Sequence, residues 1–214
     1  MRLDHISYAT SHDQISDAVN RIGSQIGTAF IDGGIHPKFG TRNFTAPLLN
    51  GQYIEVVCPM DHPATDTTPF GRAVKKKTEA GGGWLNWVLA VEDITEIENK
   101  IGRKAIVGSR MLPSGLEIKW KQIGVLTTLE NPSFPFFVEW ISDSHPSKSS
   151  LPVASISELT ISGDQKKVES WVGKNELLVI DDIKINWCDE NQELDNSGLL
   201  EVNFIFNNHK ILID

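Results

Sequence analysis

Three side chains able to bind a metal or move a proton lie in apolar stretches of the sequence: His5, Glu55 and Glu139. Glu55 lies in the run 52–57 (QYIEVV), and Glu139 in the run 134–141 (FPFFVEWI). Aromatic and β-branched residues favour strands, and a carboxylate within such a strand is costly unless it is paired or binds a metal. The alternative is a solvent-facing Glu55 on a half-exposed sheet. The recurrence of the pattern around Glu139 argues against that alternative.

The elements around His5 and Glu55 are predicted as a strand, a capped helix and three further strands. Residues 3–9 predict the first strand, and Ser11 opens an S-x-x-Q capping box before an apolar pattern of helical period. A region broken by glycine and proline then predicts two short strands joined by turns. The strand that carries Glu55 comes last, so this part of the chain is predicted as a βαβββ unit.

The same order of elements recurs further along the chain. The offsets between matching positions are 81 residues from His5 to Asn86, 82 from Ser11 to Asp93 and 84 from Glu55 to Glu139. Near-equal offsets in the same order indicate a structural duplication. Equivalent strand positions then predict that four side chains converge on one pocket: His5, Glu55, Asn86 and Glu139.

A third, partial copy of the unit is predicted near the end of the sequence. It has a strand at 155–161, an S-x-x-Q pattern at Ser162 and alternating strands at 183–187 and 200–206, and the polar segment 188–198 predicts a mobile loop. It has no histidine or glutamate at the matching positions, so we expect a structural or dimerisation role. The predicted divisions are a first unit at 1–60, a linker at 61–83 with a short helix, a second unit at 84–148 and the third unit at 149–214.

Composition excludes several classes of partner and location. A net charge of −8 and a pI near 5.2 argue against nucleic acid as the main partner. No apolar stretch predicts a signal peptide or a membrane span. Two cysteines, Cys58 and Cys188, provide neither a disulfide framework nor zinc-ligand spacing. We therefore expect a cytoplasmic protein, and we expect a homodimer that covers an exposed strand edge.

The motifs together resemble the vicinal oxygen chelate superfamily, which includes glyoxalase I, extradiol dioxygenases and the bleomycin and fosfomycin resistance proteins. In detail the chain is most similar to the glyoxalase-like branch. The residues that carry this resemblance are Leu3-Asp4-His5, His36, Phe39-Gly40-Thr41, Asn43, Tyr53-Ile54-Glu55, Arg110, Pro113, Gly115, Trp120, Pro135-Phe136-Phe137 and Glu139-Trp140. It covers about residues 1–148. It implies an α+β fold in which tandem βαβββ units form a curved mixed sheet around a pocket, here with a partial third βαββ-type unit.

The resemblance also implies a metal site. The superfamily's ligand positions fall on His5, Glu55, Asn86 and Glu139, and a ligand carboxylate, Glu55 or Glu139, doubles as the catalytic base. Asn86 departs from the pattern, where histidine or glutamine is usual. A neutral amide ligand shifts the expected divalent metal from Zn towards Mn, Mg or Fe(II), and it also favours loss of the metal. Without a metal, two carboxylates facing one pocket repel each other, and one has the raised pKa of a general base.

We also expect five substrate-binding residues around the pocket: His36, Asn43, Tyr53, Arg110 and Trp120, the last as core or pocket wall. Arg110 suits a substrate carboxylate or phosphate because its guanidinium is a planar fork, and its alternative is a surface ion pair. His36 and Asn43 suit hydrogen bonds to a substrate oxygen. Their alternative is a turn in which Gly40 supplies an unusual backbone angle and Asn43 caps it.

Two functional classes remain open from the sequence. The first is a metal-dependent lyase, isomerase or dioxygenase that acts on a small oxygen-rich molecule. The second is a metal-free small-molecule binding protein of the bleomycin-resistance type. The sequence has no P-loop or dinucleotide fingerprint, so no nucleotide cofactor is expected.

Overall fold

The computed structural model describes residues 1–188 and 197–214. Most of the segment 188–198, predicted as a mobile loop, therefore lies outside the described residues. Within them, no helix has the length and apolar character needed to cross a membrane.

The first unit has the predicted βαβββ order. Its elements are β1 (Arg2–Ala9), α1 (Ile15–Ile26), β2 (Ile31–His36), β3 (Thr41–Pro47) and β4 (Tyr53–Pro59). Helix α1 begins at Ile15 after Gln14, which makes no side-chain capping bond. The capping box predicted at Ser11 is therefore wrong: Ser11 lies before a turn that precedes the helix, and its carbonyl accepts a hydrogen bond from the Gln14 N–H.

Two helices, α2 (Pro63–Thr67) and α3 (Pro69–Glu79), occupy the segment predicted as a linker with one short helix. Thr68 caps α3 by accepting a hydrogen bond from the Gly71 N–H at 3.2 Å, and Pro69 suits the first helical position. Phe70 of α3 packs into the apolar cluster that fills one part of the barrel interior.

The second unit repeats the βαβββ order, with one short helix added before its last strand. Its elements are β5 (Gly83–Ala90), α4 (Thr95–Ile101), β6 (Ile106–Met111), β7 (Glu117–Ile123), α5 (Val125–Glu130) and β8 (Phe136–Trp140). The α+β class and the tandem units predicted from the sequence are confirmed.

The two units share one sheet in the order β1-β4-β3-β2-β6-β7-β8-β5, which closes into a barrel. On one side, β1 and β5 form a long antiparallel pair. On the other side, β2 and β6 meet through a single pair, Ile35 with Met111. The predicted curved sheet therefore encloses its interior on all sides, because the free edges of the two units meet each other.

The third unit forms a separate five-stranded sheet in the order β10-β11-β9-β12-β13. Its elements are β9 (Ser155–Ser162), α6 (Gln165–Val172), β10 (Val179–Ile180), β11 (Ile183–Cys188), β12 (Gly198–Phe206) and β13 (His209–Ile213). In this sheet the first strand, β9, pairs in parallel with β11, which is not the last strand of the unit. In the first unit, by contrast, β1 pairs in parallel with the last strand, β4. The third unit thus differs in strand order from the two barrel units.

The main hydrophobic core lies between the outer face of the barrel and the third unit. Trp84 and Trp87 of β5 belong to one buried cluster with Phe204 of β12. The Trp84 indole N–H donates to the carbonyl of Ile213 at 2.9 Å, and the Lys100 ammonium donates to the carbonyl of Ser170 at 2.6 Å. Packing and hydrogen bonds together attach the third unit to the barrel.

Candidate functional site

A β-bulge in β1 brings two adjacent polar residues to the inner side of the barrel. The register between β1 and β5 shifts between Leu3 and His5, so Asp4 is the extra residue. Leu3, the residue before the bulge, packs in the outer core. Asp4 and His5 are both buried, and Asp4 contacts the indole N–H of the cavity-lining residue Trp140.

Asp4 is the acceptor at the centre of a buried hydrogen-bond network. Its oxygens lie 2.9 Å from His5 Nδ1, 3.1 Å from His145 Nε2 and 3.0 Å from Arg2 Nη2. Burial alone raises the Asp4 pKa, but the hydrogen bonds from His145 and His5 outweigh it and hold this pKa well below its usual range. An ionised carboxylate only accepts hydrogen bonds. His5 Nδ1 therefore carries a proton, so the neutral form of this imidazole is the tautomer with Nε2 as the acceptor.

His5 itself lines a cavity inside the barrel. Its ring stacks on Tyr53 at a centroid distance of 4.4 Å and an interplanar angle of 21°, and it meets the edge of Phe136 at 6.2 Å. The stacking and the Asp4 contact together fix the plane of the imidazole ring.

Glu55 lines the same cavity and is also buried. It accepts hydrogen bonds from Ser7 Oγ and Asn43 Nδ2, each at 2.7 Å. Burial raises its pKa, but the nearby His36 and His5 and the two hydrogen bonds outweigh it, so the Glu55 pKa lies below its usual value. The raised pKa expected for one of two facing carboxylates is not found at Glu55, since it faces donors and histidines.

Arg110 approaches Glu55 through a shared neighbour, Asn43. Its Nη1 donates to Asn43 Oδ1 at 3.3 Å, while Asn43 Nδ2 donates to Glu55. Only 4% of Arg110 is exposed, and its Nε has no hydrogen-bond partner within the described part of the chain. The surface ion pair considered as an alternative for Arg110 is therefore excluded by its burial.

His36 lies among aromatic side chains at the apolar side of the cavity. Its Nδ1 is 3.0 Å from Thr41 Oγ1, and its ring centroid lies 5.6 Å from that of Trp120. Burial lowers the His36 pKa from 6.5 to about 4, so this imidazole is neutral at pH 7. Gly40 does occupy a left-handed turn at φ 65°, but Asn43 bonds to Glu55 and not to that turn.

The cavity itself is small, at about 30 Å³. That volume holds only one or two water molecules, because aromatic rings fill most of the barrel interior. A groove of about 580 Å³ lies beside it, between the turn at 112–116 and the segment 143–149. Arg110 lines both the cavity and the groove, so it stands at their junction.

Glu139 lies apart from His5 and Glu55, contrary to the sequence prediction. Its carboxylate accepts hydrogen bonds from Lys121 Nζ at 2.6 Å and from the Ile94 N–H at 2.8 Å, at the start of α4 outside the barrel. Because side chains alternate along a strand, the neighbours of Glu139 on β8, Val138 and Trp140, line the cavity instead.

The register explains this misplacement. In both units the first strand pairs with the last at a separation of 48 residues, so one offset must relate both strands. His5 and Asn86 are 81 residues apart, and the same offset relates Glu55 to Phe136 (55 + 81 = 136). The offset of 84 from Glu55 to Glu139 differs from 81 by an odd number, so it leads to the opposite face of the strand. An aromatic ring therefore occupies the position where the duplication predicts a second carboxylate.

Asn86 is buried on β5 opposite Ser7 of β1. Within the described residues its Oδ1 has no hydrogen-bond partner. It does not line the cavity. Of the four predicted metal ligands, the structure thus brings His5 and Glu55 to one cavity, whereas Asn86 lies beside Ser7 and Glu139 lies outside.

These donors do not fit a divalent metal. Across 1–188 and 197–214, no group of three or more histidine, cysteine, aspartate or glutamate side chains is arranged to hold one, and a zinc site normally offers three or four protein ligands. We therefore derive no catalytic step through a metal.

Sequence reasoning missed Asp4, His145 and Trp140 as site residues. Asp4 had a signal, because it directly precedes His5 in the motif that carries the family resemblance. His145 had none, since it meets Asp4 across 141 residues of sequence. Tyr53 and Trp120, by contrast, line the cavity as expected.

Comparison with solved structures finds similar folds. A hypothetical protein from Staphylococcus aureus has a TM-score of 0.68 and 20% sequence identity, over 97% of this chain and 92% of that one. This likeness shows the fold alone. A methylmalonyl-CoA epimerase from Mycobacterium tuberculosis has a TM-score of 0.43 and 14% identity, over 65% of this chain and 86% of its own. A Streptomyces coelicolor methylmalonyl-CoA epimerase variant has a TM-score of 0.44 and 14% identity, over 66% of this chain and 99% of its own.

Comparison with functionally curated proteins finds no match. A family model described as a glyoxalase-like domain matches residues 3–175, which is most of the sequence. The resemblance stated from the sequence motifs is therefore confirmed. The chain belongs to the glyoxalase-like domain family.

Proposed function

We propose that this protein catalyses proton transfer at a carbon next to the carboxylate or carbonyl group of a small molecule, as an isomerase or lyase. The observation that carries the proposal is the buried Asp4–His5 pair, whose histidine lines one cavity together with Glu55 and Arg110. General acid–base catalysis of this kind contributes typically about 10²–10⁴-fold to a rate.

His5 is the proposed base. Asp4 holds the imidazole in the tautomer that accepts a proton at Nε2, and it stabilises the imidazolium that forms when the proton arrives. Glu55, kept ionised by its hydrogen bonds from Ser7 and Asn43, adds a second negative charge near His5. Both carboxylates therefore favour the protonated form of His5 that the reaction produces.

Arg110, Tyr53 and His36 are the proposed groups that bind the substrate and its developing negative charge. Arg110 holds a carboxylate through its planar fork. Burial and the charge of Asp4 raise the Tyr53 pKa well above its usual value, so its hydroxyl stays protonated and can donate a hydrogen bond. His36 is neutral at pH 7 because burial lowers its pKa. Preorganised donors of this kind stabilise an enolate-like oxygen.

The second candidate is a metal-free binding protein that performs no chemistry. It is supported by the cavity walls, which are largely aromatic, and by the failure of the four predicted ligands to converge. Both candidates predict ligand binding, but only the first predicts exchange of a substrate proton with solvent.

The test is hydrogen–deuterium exchange in D₂O with a panel of 2-substituted carboxylic acids and 2-oxo acids, followed by proton NMR of the carbon-bound hydrogen. We expect at least one compound to exchange faster with the protein than without it, and His5→Gln to remove that acceleration. His209→Gln is the matched control, because His209 is an exposed residue of β13. Ligand binding without any exchange across the panel would favour the binding protein.

A further inference from the structure

The buried guanidinium of Arg110 lacks the partners that its chemistry requires. It carries five N–H donors, yet its hydrogen bond in the described structure is a single 3.3 Å contact to Asn43, and its Nε is buried without a partner. Burial lowers its pKa, although Tyr53 and Glu55 oppose that shift. Leaving a buried cation without a direct anionic partner is costly, so this arrangement fits an anionic ligand at Arg110.

The volumes of the cavity and of the groove determine where the rest of that ligand can lie. The cavity of about 30 Å³ on the His5 side has no room for more than a few atoms. The groove of about 580 Å³ on the other side of Arg110 lies in the range of small-molecule sites, about 300–1,000 Å³. A ligand bound to Arg110 therefore has its bulk in the groove.

The groove wall is largely apolar. Leu112, Pro113, Leu116 and Pro146 line it, and half of Leu116 is exposed to solvent. Covering apolar surface of this kind contributes about 25 cal/mol per Å². The wall therefore suits a hydrocarbon chain better than a polar or sugar-like group.

The charges around the groove favour a ligand with one negative charge. Asp32 is already paired with Arg42 at 2.6 Å, while Asp143 and Lys148 lie along the groove with opposite charges. Arg110 is the buried cation at its inner end. One guanidinium balances one carboxylate.

We infer that this groove binds a medium-chain monocarboxylate, with the carboxylate on Arg110 and the hydrocarbon chain along the wall formed by 112–116. This inference rests on the proposed function and deepens it, because it names the class of substrate: an acid with an apolar chain. Leu116 and Arg110 are then the residues that determine specificity for the chain and for the charge.

Octanoate is the probe, with octan-1-ol and acetate as comparison ligands, and binding to the full chain is measured by isothermal titration calorimetry. We expect octanoate to bind at least tenfold more tightly than either comparison ligand, because only octanoate has both the charge and the chain. Arg110→Met should weaken octanoate binding at least tenfold. Arg110→Lys keeps the charge but loses the fork, and should give an intermediate affinity.

Leu116→Ser should weaken octanoate binding severalfold, whereas Leu212→Ser should not. The two leucines are matched in exposure, at 50% for Leu116 and 51% for Leu212. Leu212 lies on β13 and does not line the groove. NMR should also show contacts between the octanoate chain and Leu116. Absence of octanoate binding, or equal binding by wild type, Arg110→Met and Leu116→Ser, would overturn the inference.

The proposed catalysis and the proposed groove ligand can be rejected independently. Octanoate binding that depends on Arg110, together with no proton exchange in the acid panel, would reject the proposed catalysis and keep the groove ligand. Exchange that depends on His5, together with no octanoate binding, would keep the catalysis and reject the groove ligand.

Discussion

The carboxylate of Asp4 accepts a hydrogen bond from Nδ1 of His5 at 2.9 Å, although the two residues are adjacent in sequence. Neighbours on a regular strand face opposite sides of the sheet. The bulge in β1 cancels that alternation and places both residues on the inner side of the barrel. The bulge therefore brings the two residues together, and stacking on Tyr53 of β4 completes the orientation of the histidine.

Asp4→Asn should reduce the proton-exchange rate by a factor on the order of 10². Asparagine keeps the shape but removes the charge that stabilises the His5 imidazolium, and its amide can present a donor to Nδ1. The exchange assay measures the effect, with Asp17→Asn on the exposed side of α1 as the control. An Asp4→Asn variant with the wild-type exchange rate would show that Asp4 does not support His5.

The burial of His36 should make the protein less stable in mild acid. Between pH 6.5 and about 4, the unfolded chain binds a proton at His36 that the folded chain does not. The free energy of unfolding therefore falls as the pH falls through this window, by on the order of 3 kcal/mol from this residue. Urea denaturation at pH 7 and at pH 4.5 measures the loss.

His36→Gln is the matched variant for that measurement, because glutamine is polar but does not titrate. We expect the loss of stability between pH 7 and pH 4.5 to be smaller in His36→Gln than in wild type. An equal loss in the two proteins would mean that carboxylates alone cause the acid sensitivity.

Glu139 should matter for stability through its contact with α4. It accepts a hydrogen bond from the Ile94 N–H, which is otherwise one of the unsatisfied donors at a helix start. Glu139→Ala should lower the free energy of unfolding by about 1 kcal/mol, as loss of a helix cap does. Chemical denaturation measures this, and Glu130→Ala, at the end of α5, serves as a surface control. No change in Glu139→Ala would mean that the cap contributes nothing.

The third unit should be required for the stability of the barrel. A chain ending at Ser150 exposes the apolar face around Trp84 and Trp87, which now packs against Phe204 and its neighbours. Each aromatic side chain contributes roughly 1.5–3 kcal/mol when buried. We expect the shortened chain to melt at a lower temperature or to aggregate in light-scattering measurements. The same melting temperature as the full chain would contradict this account.

The fold was largely predictable from the sequence because it depends on local patterns. Strand runs such as 52–57 and the repeated order of elements were sufficient to predict two βαβββ units. The closure of the barrel was not predictable, since it depends on the pairing of β2 with β6, two strands that lie far apart in the sequence. The strand order of the third unit was also missed, because the same succession of elements permits more than one pairing.

The sequence pattern placed the predicted ligand positions of the first unit correctly and misplaced those of the second unit. His5 and Glu55 were found because each is a polar residue within an apolar strand. Glu139 was misplaced because a shift of one residue in register moves a side chain to the opposite face. That register is set by the pairing of β5 with β8, which the sequence pattern alone does not determine.

The most direct test of the central claim compares two conservative variants in the same proton-exchange assay. The claim is that the reactive groups lie on the His5 and Glu55 side of the barrel and that Glu139 takes no part. We expect Glu55→Gln to reduce the exchange rate at least tenfold and Glu139→Gln to leave it within a factor of two of wild type. Equal losses in the two variants, or a loss in Glu139→Gln alone, would contradict the account.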